Sequence, residues 1–156
     1  MCAIIDADVA HQVFGANRPE AGAEFFKWLN TGRGRLAVGG RLRAELRRTS
    51  AENWMQQAIL AGRITQIDDV EVEARTVELE TQRLCKSNDP HVLALAQVSG
   101  ARLLYSNAGN LARDFKSKRL VDFPRGKVYS TDRGEGRFQR SHKGLLTRTD
   151  LCRNGM

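Results

Sequence analysis

Short apolar runs alternate with longer amphipathic stretches along this chain. Cys2–Ile5 is apolar throughout and ends at Asp6. A run without polar alternation reads as a parallel strand buried on both faces. Arg35–Gly39, Arg63–Ile67 and Ala101–Tyr105 predict further strands, and Lys127–Ser130 a fifth at the sheet edge.

The intervening stretches predict helices. Val9–Phe14 reads as a short helical turn. Arg18-Pro19-Glu20 opens the next helix, with Pro19 near its first position and Phe25, Phe26 and Leu29 on one face. Gly40 begins a helix through Arg48. Ser50 is the expected cap of a helix over 51–61, with Glu52 in its first turn and Gly62 at its end. Asp68-Asp69 opens a helix in which Val70, Val77 and Leu84 follow the 3.6-residue period. Asn88 or Asp89 caps Pro90–Ser99, where Pro90 holds the favoured first position and Gly100 stops the helix. Ser106–Asn110 forms a loop before a short helix, Leu111–Phe115. Strands alternating with helices imply right-handed crossovers and a parallel sheet, hence an α/β fold.

A length of 156 residues suits one domain with a real core. No apolar stretch approaches membrane-spanning length, and the N-terminus lacks a signal-like pattern, so a cytoplasmic protein is expected. Charge is unevenly placed. Residues 1–115 hold 14 basic and 14 acidic side chains, so the net charge of +7 resides in residues 116–156. Residues 132–156, rich in Gly, Arg, Ser and Thr, read as a basic, flexible tail suited to a polyanion or an acidic partner. Cys2, Cys85 and Cys152 lack metal-ligand spacing and are expected to be small buried or free thiols.

Acidic residues carry the candidate chemistry. Asp6 directly follows the first strand, Glu45 lies in the helix after the second, and Asp89 starts the helix before the fourth. Ligands of open parallel sheets bind beyond the carboxyl ends of the strands. If the first and fourth strands are neighbours, these groups face one cavity. Gathered carboxylates repel one another and call for a hard cation, Mg²⁺ or Mn²⁺. Such a cation can activate water and offset charge on a phosphodiester. Structural alternatives stand beside this reading: Asp89 as a helix cap, and Glu45 as a solvated partner of Arg41 or Arg48.

Cys2–Asp8 (CAIIDAD), Leu42–Arg47 (LRAELR), Asn88–Gln97 (NDPHVLALAQ) and Ala101–Phe115 (ARLLYSNAGNLARDF) resemble, in order and spacing, the four signatures of PIN-domain nucleases, including VapC-like toxins. The resemblance spans residues 1–131. It implies a three-layer α/β/α fold with a central parallel sheet of about five strands. It also implies Mg²⁺- or Mn²⁺-dependent endoribonuclease activity leaving 5′-phosphate and 3′-hydroxyl ends. A toxin–antitoxin role, with an antitoxin or other protein partner and a homodimer, is the corresponding expectation. Asp6, Glu45 and Asp89 match the first three acidic positions as metal ligands.

The fourth acidic position departs from the family pattern, because Ala108 stands where an Asp is expected. Three accounts are open. The chain carries an inactivating Asp→Ala substitution at position 108; or it is a natural variant in which Asn110, Asp114 or Asp8 compensates; or it is a relic that binds RNA without cutting it. The first is favoured because the surrounding loop is otherwise well kept. Ser106 and Asn110 are candidates to support the site from behind, as is Asp8, or they are ordinary turn and cap residues.

His11, His91 and His142 form no ligand pattern, and His91 is expected on the exposed side of a helix start. No phosphate-cradling glycine motif and no nucleophile elbow occurs. Trp28 and Trp54 read as core or interface residues. Arg41, Arg43, Arg47 and Arg48 surround Glu45 as a phosphate-binding group, a partner surface or a solvated face. The competing classes are a non-catalytic RNA- or partner-binding module and a flavodoxin-like small-molecule binder.

Overall fold

In this computed structural model residues 2–131 and 140–152 are described. Five strands form one all-parallel sheet: β1 (Cys2–Ile5), β2 (Arg35–Val38), β3 (Ile64–Gln66), β4 (Leu103–Tyr105) and β5 (Lys127–Tyr129). Their spatial order is β3-β2-β1-β4-β5. Helices flank the sheet to give the three-layer α/β/α arrangement: α1 (Ala10–Phe14), α2 (Glu20–Asn30), α3 (Arg41–Arg47), α4 (Glu52–Leu60), α5 (Asp69–Gln82), α6 (Pro90–Ser99), α7 (Gly109–Phe115) and α8 (Arg140–Leu145). A 3₁₀ turn at Ala7–Val9 leads into α1.

β1 is buried at all four positions, as its unbroken apolar run requires. It lies between β2 and β4, with Ile5 paired to Tyr105. The chain winds from β1 outward to β3, then crosses back to β4 on the other side. The boundary between β1 and β4 is therefore the topological switch point, where such sheets place their ligand sites.

Two local expectations are corrected. Ala51, not Ser50, precedes α4, and Thr49 Oγ1 accepts the Ala51 N–H at 3.1 Å. α5 buries Val72, Thr76 and Leu79, while Val70 and Val77 are exposed. Both sets follow a helical period; packing against α6 selects the first. Asp68 does cap α5, through its carboxylate and the Val70 N–H at 2.9 Å.

The expected thiols Cys2 and Cys152 are instead joined as a disulfide, Cα–Cα 5.5 Å, while Cys85 is a free thiol. Ala101 bridges Cys152, and Arg102 N–H donates to the Leu151 carbonyl at 3.0 Å. Leu146 and Leu151 are buried. Residues 140–152 of the expected flexible tail are thus packed against the body, with Leu151 and Cys152 at the amino ends of the central strands β1 and β4. Residues 132–139 and 153–156 of that tail lie outside the described residues. No helix among the described residues is long and apolar enough to cross a membrane.

Candidate carboxylate site

The backbone register places Asp6 beside Ser106. Each is the first residue beyond one of two neighbouring strands. Asp6 N–H continues the β1–β4 ladder to the Tyr105 carbonyl at 2.9 Å, and Ser106 N–H continues β4–β5 to the Tyr129 carbonyl at 3.1 Å. The buried Ser106 hydroxyl donates to Asp6 Oδ2 at 2.8 Å and accepts the Ala108 N–H at 3.1 Å. One hydroxyl therefore links Asp6 to position 108.

Asp6 is 6% exposed, and no cation pairs with it among the described residues. Burial pushes its carboxyl above the ordinary carboxylate range. The Ser106 hydroxyl and the Asp8 N–H pull it back, while the Asp8 and Asp89 charges push it further up. Asp89 is raised too, first by burial, with His91 opposing and Glu45 and Asp8 reinforcing. Asp6, Asp8, Glu45 and Asp89 come from three regions of the sequence, yet their charges couple at one place.

Asp89 occupies the cap position of α6 without using its carboxylate as a cap. That rejects the reading of it as a mere helix cap. Its loop is held from outside, since both carboxylate oxygens of buried Asp114 on α7 accept the Lys86 N–H, at 3.0 and 2.9 Å, and Oδ2 also accepts the Ser87 N–H at 2.8 Å. Asp114 is thereby committed to this loop and cannot stand in for the missing fourth acid. Asn110 is exposed in the first turn of α7. Asp8 is exposed on the 3₁₀ turn, beside Asp6.

His91 is buried, not exposed as the sequence led one to expect. Its Nε2 lies 2.5 Å from Glu45 Oε1, joining α6 to α3. Glu45 therefore pairs neither with Arg41 nor with Arg48. Arg41 instead bonds Glu73 and Glu80 on α5, and Arg43 bonds Asp69 and Gln66. Arg47 and Arg48 remain exposed. His91 was missed because a position near a helix start says nothing of an acid reaching it from another helix.

The donor set fits a hard divalent cation by its chemistry: carboxylate oxygens, partly desolvated, mutually repelling and without a protein cation on Asp6 or Asp89. Among the described residues, no three His, Cys, Asp or Glu side chains are grouped closely enough to hold one ion. The His91 contact engages one Glu45 oxygen, Oε1. No protein-family model matches the chain, and no curated protein matches it significantly.

Proposed function

We propose that this fold is built for metal-dependent hydrolysis of RNA, as an endoribonuclease of PIN type, and that Ala108 holds this chain inactive. The observation carrying the proposal is the Ser106 hydroxyl, which ties Asp6 to position 108 at the switch point. An Asp at 108 would add a carboxylate next to Asp6, at the start of α7, where Asp is a favoured cap residue.

In this reading Asp6, Asp89 and Glu45 hold Mg²⁺ or Mn²⁺, which when bound activates water and offsets phosphate charge. Ser106 keeps Asp6 oriented. Asp114 fixes the loop that presents Asp89. His91 positions Glu45 across α3 and α6. Exposed Arg47 and Arg48 draw the RNA backbone towards the site.

The biological setting that goes with this reading is a toxin restrained by an antitoxin or another protein partner, with exposed Val70 and Val77 on α5 available for a homodimer contact. The proposed place of action is the cytoplasm. The Cys2–Cys152 bond opposes that, because reducing compartments keep thiols free. Thiol labelling in intact cells decides between the two.

The test is an RNA gel assay. Ala108→Asp gains Mg²⁺- or Mn²⁺-dependent cleavage, and Asp6→Asn in that background removes it. Cleavage that survives Asp6→Asn in chelator refutes the assignment. The second reading, an RNA- or partner-binding module, is favoured by Ala108 itself. It wins if the chain binds RNA in a salt-sensitive way yet never cuts after Asp is supplied at 108.

A further inference from the structure

A cavity of about 480 Å³ opens between the end of α2 and α8. It is lined by Trp28, Leu146, Lys27, Arg33, Lys143 and Glu24, with Thr31 and Thr147 at its margin. Thr31 and Arg33 immediately precede β2, so the cavity lies towards the amino ends of the strands. The carboxylate site lies at their carboxyl ends.

Its floor and its charge mark it as more than a packing gap. Trp28, 5% exposed, presents a ring face as the apolar floor. The ring is held in place by Gly34, where an added Cβ would lie 2.3 Å from it. Around the cavity stand three cations and one acid. Lys143 reaches Glu24 at 3.6 Å, while Lys27 and Arg33 are exposed and make no ion pair among the described residues. The lining therefore carries a net charge of about +2, with an apolar floor of Trp28 and buried Leu146.

We propose that this cavity binds a phosphate monoester carried on a planar or apolar body of mononucleotide size. A phosphate monoester bears a charge of roughly −1.5 to −2 at neutral pH, which matches the lining. The volume falls within the range of small-ligand pockets. Lys27, Arg33 and Lys143 receive the phosphate oxygens, and the body lies over Trp28 and Leu146. The proposal does not depend on nuclease activity. Its ligand could be a free nucleotide or the 5′-phosphate end of an RNA.

Calorimetry on the full chain in chelator tests it, which keeps the carboxylate site out of the readout. Adenosine 5′-monophosphate is expected to bind with Kd of about 10–100 μM. Adenosine and inorganic phosphate are each expected to bind at least about tenfold more weakly. Arg33→Gln, a surface change, lowers affinity about tenfold. Asp6→Asn leaves it unchanged. Saturable binding of a 5′-phosphorylated RNA oligonucleotide but not its 5′-hydroxyl form assigns an RNA end; binding of the mononucleotide without the oligonucleotide assigns a free metabolite. Equal affinity for adenosine and its monophosphate, or no effect of Arg33→Gln, overturns the proposal.

Discussion

Asp6 is an ionisable group kept from water with only a hydroxyl and a backbone N–H for company. A carboxyl raised by burial holds its proton more tightly folded than unfolded. The fold therefore loses stability as pH rises from the ordinary Asp range through the raised value, and the full cost applies at neutral pH. Asp6→Asn removes that charge while keeping an acceptor for Ser106. In chelator at neutral pH the variant is expected to be more stable by about 1 kcal/mol in urea unfolding. The advantage should vanish at acid pH, and an advantage that grows on acidification contradicts the assignment of a raised carboxyl. Asp6 and Asp89 were legible in the sequence because an apolar strand ends at the first, and a proline opens a helix after the second. His91 was not, since its partner Glu45 is 46 residues away.

α7 contributes more than its short length suggests, because Asp114 carries the backbone of the loop before Asp89. Replacing it with Ala leaves the partly buried N–H groups of Lys86 and Ser87 without these acceptors. Asp114→Ala is expected to cost about 1–2 kcal/mol in stability. It should also weaken divalent-metal binding about tenfold, although Asp114 is not proposed to touch the ion. Unchanged metal affinity would separate the loop from the site. Asn at 114 keeps an acceptor and should recover part of both losses. The elements themselves were readable: β1, β2 and β4 are short, mainly apolar runs closed by a turn or a polar residue, and β3 and β5 are short mixed segments between turns. The buried face of α5 was not, because Val70 with Val77 and Val72 with Leu79 fit the helical period equally well. Only the position of α6 decides between them.

At the scale of the whole molecule, the chain is closed on itself. The Cys2–Cys152 disulfide joins positions 150 residues apart, beside the Ala101–Cys152 bridge and buried Leu151. A link across so long a loop restricts the unfolded chain strongly. Its reduction, or Cys152→Ser, is expected to cost about 4–5 kcal/mol in denaturant stability. An unchanged midpoint in reductant contradicts a formed bond. Composition had pointed to a loose basic tail, since so few apolar residues interrupt its charge. Leu146 and Leu151 are enough to seat residues 140–152, and cysteine spacing gives no hint of a partner at the opposite terminus.

Carboxylates drawn together across the β1–β4 boundary should bind one divalent ion jointly. Titration of Mn²⁺ at neutral pH, read by electron paramagnetic resonance, measures this without any RNA. The account predicts one ion per chain, bound at least about tenfold more tightly by Ala108→Asp and lost in both Asp6→Asn and Asp89→Asn. Equal Mn²⁺ affinity in all four proteins would contradict it.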